Sequence, residues 1–310
     1  MNKRIIILLL IFISMINITA CSEASSPGEE GDMVVYTSIY PIYDFAKKIA
    51  GDAIRVDLLL PPGAEPHGWE PSARMMASIE KAQGFLYNGL DMDPWAERLA
   101  KSISSGGVHV LALGEMDSVQ PMLYHGDHHG HGEHGHGTHD PHIWLDPIMA
   151  EEMAAGIRDL FIQMDGDNRR VYEENFLSFR DQLRALDQEY REALAQSERR
   201  EFIVTHAAFG YLAQRYNLRQ ISITGLAPQA EPSSGKMAEL IQLIREHNIP
   251  VVFTEELGST KAARVLADEA GVSVDTIHPI GGLTKEEMDR GEDYLSIMRK
   301  NLEKLVKALN

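Results

Sequence analysis

Cysteine is almost missing from this chain of 310 residues; the only one is Cys21. That excludes a disulfide framework and any zinc site built on several thiolates. Positive charge is scarce as well. Lys and Arg number 29 against 46 Asp and Glu, for a formal net charge of −17. Residues 1–20 carry Lys3 and Arg4 and no acid, so the remainder of the chain is more acidic still. Such a surface repels phosphate backbones, which argues against a nucleic-acid partner; it is compatible with a cationic ligand, or serves solubility alone. No H-E-x-x-H helix of the metalloprotease kind is present. There is no residue-level repeat, and no second long apolar run beyond Ile5–Ile16.

A targeting pattern occupies the N-terminus. Lys3 and Arg4 precede the apolar stretch Ile5–Ile16, which is short for a membrane span, and Ile18-Thr19-Ala20-Cys21 comes next. That order reads as a secretory signal over residues 1–20. A lone Cys directly after small residues resembles the lipobox of bacterial lipoproteins, so Cys21 is the expected lipidation site and membrane attachment. The alternative is an ordinary signal with a chance Cys. Residues 21–32 are small, polar and acidic, and read as a tether because they hold too little apolar surface to order themselves.

From Met33 on, short β-rich runs alternate with helical spacing. MVVYTS, IRVDLLL, GFLY and VHVLAL are strands, with helices at 40–50, 72–81 and 94–103 between them. After residue 146 come a helix over 147–164 and a longer one from Asn168. In the latter, Tyr172, Phe176, Phe179, Leu183, Leu186, Tyr190 and Leu194 form one apolar stripe, over about 28 residues or ~42 Å. Alternation then restarts with EFIVT, QISIT, PVVFT and a strand at 273–277, separated by helices at 207–216, 234–247 and 260–270 and closed by one at 293–309. The expected fold is α/β: two lobes, each with a mainly parallel sheet and flanking helices, joined by one long rigid helix. The lobes would cover 33–166 and 199–310, with the linking helix at 167–198.

Three histidines stand out by position. His67 follows the strand IRVDLLL, His142 follows a His-rich stretch, and His206 follows EFIVT. Ligands of open α/β sheets gather outside the carboxyl ends of strands. A single His there is more often a hydrogen-bonded structural residue. The combination is more telling, because Pro66 and Pro141 stiffen the backbone before two of them and Trp69 and Trp144 follow as water shields. Imidazole is a borderline ligand that suits Zn, Cu, Ni and Co and is a poor match for Mg, Ca or Mn. Glu255 ends the strand PVVFT; it reads equally as an acceptor orienting an imidazole or as a carboxylate at a helix start.

GAEPHGWEPSA, HDPHIWLDP, IVTHAAFGYLAQRY, GLAPQAEPSSGKMAEL and VVFTEEL, in this order, resemble the extracytoplasmic metal-binding lipoproteins of bacterial ABC importers for zinc and manganese. The resemblance runs from about Tyr36 to the C-terminus. It implies two α/β lobes bridged by a rigid helix, no enzymatic activity, and metal delivery to a membrane permease with its ATPase. His67, His142 and His206 match the family's metal-binding positions, in the zinc-type pattern. The implied protein is a monomer. A fourth ligand, Asp or Glu, is expected from a late loop, here TIHPIGGLT, where Gly281 stands at the carboxylate position. Water would then complete the tetrahedron, with Glu65, Glu255, His278 or a loop imidazole as alternatives.

His125, His128, His129, His131, His134, His136 and His139 lie among Gly and acids with no core periodicity. They read as a loop over 125–139: a solvated spacer, or a weak zinc trap that raises the local concentration of the ion. Two rival classes remain beside zinc capture. A zinc hydrolase also uses three histidines and a water, and a surface lipoprotein can act as an adhesin.

Overall fold

The alternation of strands and helices builds two four-stranded sheets, each entirely parallel. The computed structural model describes residues 33–124 and 139–310. In the first sheet β1 (Val34–Thr37), β2 (Arg55–Leu58), β3 (Gly84–Tyr87) and β4 (His109–Ala112) lie in the order β2-β1-β3-β4. In the second, β5 (Glu201–Val204), β6 (Arg219–Ser222), β7 (Val251–Thr254) and β8 (Ser273–Thr276) repeat it as β6-β5-β7-β8. Parallel neighbours require crossovers, supplied in the first lobe by α1 (Tyr40–Ala50), α2 (Ala73–Ile79) and α3 (Pro94–Ile103).

Between the sheets run α4 (Pro147–Met164) and α5 (Arg169–Ala195). The buried residues of α5 are the stripe Tyr172, Phe176, Phe179, Leu183, Leu186, Tyr190 and Leu194, with Asp187 added. Its 27 residues span ~40 Å at 1.5 Å per residue. The second lobe continues with α6 (Gly210–Arg215), α7 (Ser234–His247), α8 (Lys261–Ala270), α9 (Lys285–Asp289) and α10 (Tyr294–Leu309). Helix α5 packs against α1, α4 and α10. One apolar core therefore runs from Val35 and Phe45, through Phe179 and Tyr190, to Phe253, Tyr294 and Leu309. Smaller clusters around Phe85 and Trp95, and around Ile203 and Val252, fill the outer face of each sheet. Residues 33–310 form one unit. No helix among the described residues is long and apolar enough to cross a membrane.

Two local expectations differ from what is observed. The helix after β5 begins at Gly210, not Ala207. The intervening N–H groups are used elsewhere: Ala207 donates to Gly225 O at 2.7 Å and Phe209 to Gln220 Oε1 at 2.6 Å. Helix α9 is additional to the expected elements. Its start carries a reciprocal cap, in which Thr284 and Glu287 each accept from the other's backbone N–H, the T-x-x-E signature of a helix N-terminus. The signal residues 1–20, the tether and Cys21 lie outside the described residues, as do His125, His128, His129, His131, His134 and His136.

Candidate metal centre

The carboxyl ends of both sheets face a common cleft, and three loops bring one histidine each into it. After β2, Pro66–Gly68 makes a single 3₁₀ turn. Glu65 caps that turn by accepting the His67 N–H at 3.1 Å. His142 precedes a second 3₁₀ turn, Ile143–Leu145, that leads into α4. His206 stands two residues beyond β5. His142 and His206 are buried and His67 is partly so.

The ring nitrogens converge. His67 Nε2 is 3.1 Å from His142 Nε2, and His206 Nε2 is 3.3 Å from that same atom. One ligand atom from each of the three lies within 4.8 Å of the others. The opposite ring nitrogens are held by carboxylates. His142 Nδ1–H donates to Asp140 Oδ1 at 2.8 Å, and His206 Nδ1–H to Glu255 Oε1 at 2.5 Å. Each carboxylate also accepts the backbone N–H of its histidine, at 3.0 and 3.2 Å. With Nδ1 protonated in both rings, their Nε2 atoms present lone pairs to each other. Two facing lone pairs at 3.3 Å are no hydrogen bond; a cation between them removes the repulsion.

The electrostatics agree with neutral rings at His67 and His142. Burial, reinforced by His142 and His206, lowers the His67 pKa to about 2. Burial, together with His206 and against the pull of Glu255, holds His142 well below its ordinary value. In the opposite sense, burial pushes the Asp140 carboxyl up to about 7, although the His142 N–H stabilises its charge.

The remaining candidates are arranged around this centre. Glu255 is an orienting acceptor, not a helix-start carboxylate, since α8 begins only at Lys261. Glu65 lines the cavity, but Oε1 is engaged by His67 N–H and Oε2 by Gln229 Nε2 at 2.5 Å. His278 lines it too, with Nδ1 accepting from Ile280 N–H at 2.8 Å. Its Nε2 is 3.4 Å from Glu287 Oε1, an ion-pair distance without hydrogen-bond geometry. None of the three joins the cluster of histidine nitrogens. His139 is exposed and pairs through its backbone with Leu123. Trp144 lines the cavity, with its ring 5.3 Å from that of His142. Trp69 does not shield the site: it packs on Trp95 at 5.6 Å in the outer cluster of the first sheet.

Gly281 also lines the cavity, and its loop is stitched to the first lobe. Tyr40 N–H donates to Gly281 O, Gly63 N–H to Leu283 O and Trp144 Nε1–H to Pro279 O, at 3.1, 2.7 and 2.8 Å. A Cβ on residue 281 would stand 2.8 Å from Pro66 Cγ. The left-handed backbone belongs to Ile280, at φ 62°, and not to Gly281.

Asp140 is the residue of this site that sequence reasoning misses. The only signal is an acid two residues before His142 in D-P-H, at the same offset as Glu65 before His67 in E-P-H.

The sequence model of a family described as "Zinc-uptake complex component A periplasmic" matches residues 35–308. The high-affinity zinc uptake system protein ZnuA of Bacillus subtilis is 38% identical over 300 residues, covering 94% of this chain and 93% of that protein. The zinc-binding lipoprotein AdcA of Streptococcus pneumoniae is 37% identical over 300 residues, 96% of this chain; the chain spans 60% of that relative's length. The crystal structure of the Zn(II)-bound ZnuA-like domain of the Streptococcus pneumoniae AdcA superposes with a TM-score of 0.76 at 36% identity, over 90% of this chain and 99% of that one.

Proposed function

The chain belongs to the ZnuA family of zinc-uptake components, and from that premise we propose that it captures extracytoplasmic Zn²⁺ between its two sheets and passes it to an ABC permease with its ATPase. His67, His142 and His206 are the ligands, through Nε2. The observation that carries this is the spacing of those nitrogens. Two nitrogens ~2.05 Å from a tetrahedral zinc are ~3.3 Å apart, and the closest pairs here stand at 3.1 and 3.3 Å. Asp140 and Glu255 orient the rings and place negative charge behind two of them, which raises ligand basicity. The fourth corner takes a water. The cavity measures about 20 Å³, against the ~10–15 Å³ that one water needs.

An all-imidazole set favours zinc over manganese, which stands lowest in the affinity order of the divalent first-row metals. The family is one of binding components of zinc uptake, so the chain is a binding protein and not an enzyme. The lipid on Cys21 supplies the membrane attachment, and the His-rich loop 125–139 feeds zinc to the site.

The test is metal analysis of protein purified without added metal, followed by competition titration of wild type and His206→Ala. One tightly held zinc is expected in the wild type, and at least ~100-fold weaker binding in the variant, because one of three protein nitrogens is gone. Undiminished affinity in the variant removes His206 from the site.

A further inference from the structure

Asp140 holds His142 at two points, and its carboxylate has one oxygen left over. Oδ1 accepts the ring Nδ1–H and the backbone N–H. Oδ2 is buried and finds no hydrogen-bond donor among the described residues. It does abut the place where a side chain on residue 210 would begin. A Cβ on Gly210 would stand 2.6 Å from Asp140 Oδ2, closer than real Cβ contacts come. Gly210 is not in the left-handed region, so its backbone does not require glycine; the space does.

Met122 Cε is 2.7 Å from the same point, but it ends a flexible side chain that can turn away. Asp140 has no such freedom. It is 1% exposed and tied twice to His142. Its own N–H donates to Met122 O, and its carbonyl accepts from Tyr211 Oη–H, both at 2.9 Å.

We infer that Gly210 is a positioning residue for the metal site: its missing side chain seats Asp140, and Asp140 sets the orientation and tautomer of His142. The inference rests on the three-histidine reading of the site. Gly210 lies four residues after His206 and opens α6 of the second lobe, whereas Asp140 and His142 come from the first. The segment that supplies one imidazole thus also supplies the surface against which the carboxylate orienting another imidazole rests. A methyl group at residue 210 displaces Oδ2 and bends the Nδ1–H···Oδ1 bond. Losing an orienting partner of this kind typically costs 10–100-fold in metal affinity.

The experiment is a zinc competition titration of purified wild type, His142→Ala, Gly210→Ala, Asp140→Ala and the double variant Gly210→Ala/Asp140→Ala, with ¹⁵N NMR of the imidazoles. Gly210→Ala should bind ~10–100-fold more weakly and should add no further loss once Asp140 is Ala. Its His142 Nδ1–H resonance should shift or vanish, while that of His206 on Glu255 persists. If Gly210→Ala folds poorly, the double variant should melt with Asp140→Ala. Four results overturn the inference: wild-type affinity in Gly210→Ala, equal loss with and without Asp140, a double variant that does not fold, or affinity restored by adding Met122→Ala. Weak binding by His142→Ala in the same series would leave the three-histidine site standing. Wild-type affinity in His142→Ala would remove that reading itself.

Discussion

At the scale of single residues, two of the three imidazoles are held neutral by their burial. With His67 held at about 2 and His142 well below its ordinary value, both are already neutral at mildly acidic pH. Three ordinary imidazoles would release ~2.7 protons per zinc at about pH 5.5, each with a pKa near 6.5. Here the number should fall below ~2. Part of what remains belongs to Asp140, raised to about 7, because zinc on His142 favours its anion. Calorimetry in buffers of different ionisation enthalpy counts these protons directly; nearly three would contradict the depressed histidines, and Asp140→Asn should lower the count by about one. Residue 281 is the other instructive position. In Gly281→Glu the cost is steric and not conformational, because Cβ meets Pro66 Cγ at 2.8 Å while φ is ordinary. Overpacking of this kind costs ~1–3 kcal/mol, so the zinc-free variant should melt below wild type. A carboxylate reaching the ion should then make its zinc-induced rise in Tm larger than wild type's. An unchanged zinc shift in differential scanning would mean that the side chain at 281 does not reach the metal.

The long helix decides how stiffly the two halves are held. Its stripe is legible because seven apolar residues recur at helical spacing, and the structure buries all of them. Phe179 sits mid-helix with its ring 5.3 Å from that of Phe45, and Phe45 in turn packs edge-on against Tyr294 at 4.9 Å. First lobe, helix and second lobe meet there. Phe179→Ala should cost ~3–5 kcal/mol, and both lobes should still unfold in one transition because their core is continuous. Separate transitions in near- and far-ultraviolet circular dichroism would show instead that the helix merely links two independent cores. Element ends are less legible. The N-terminal cap of α9 can be read in T-K-E-E, but residues 207–209 cannot, since Gly225 and Gln220, which accept the N–H groups of Ala207 and Phe209, come from later in the chain.

For the molecule as a whole, the metal centre should prove separable from the His-rich loop. His67, His142 and His206 all lie outside residues 125–138. The loop's flanks, Leu123 and His139, pair as an antiparallel bridge, so a short turn can join them. Deleting 125–138 should leave one tight zinc per molecule and abolish weaker additional binding. Equilibrium dialysis across a range of free zinc reads both, and loss of the tight site would place one of its ligands in the loop. The lobes, by contrast, are not separable. Trp144 Nε1–H donates to Pro279 O, Tyr294 Oη–H to Trp144 O, and Lys48 bridges Asp44 and Asp293.

Read alone, the chain specifies the order of the strands and of every helix but α9, the apolar stripe, the three histidines and the preference for a borderline metal. These are legible because period, strand-end position and donor type are carried within a few consecutive residues. Packing in three dimensions settles the rest. It turns Glu255 into the partner of His206, ties Glu65 to the backbone of His67 and to Gln229, aims His278 at Ile280 and Glu287, and brings Asp140 against Gly210. It also makes Gly281 a place where one loop presses on Pro66 of another. Most of these contacts join segments far apart in the chain. No local pattern encodes them, because they exist only once both sheets have packed on a common helix and their loops compete for the same small volume.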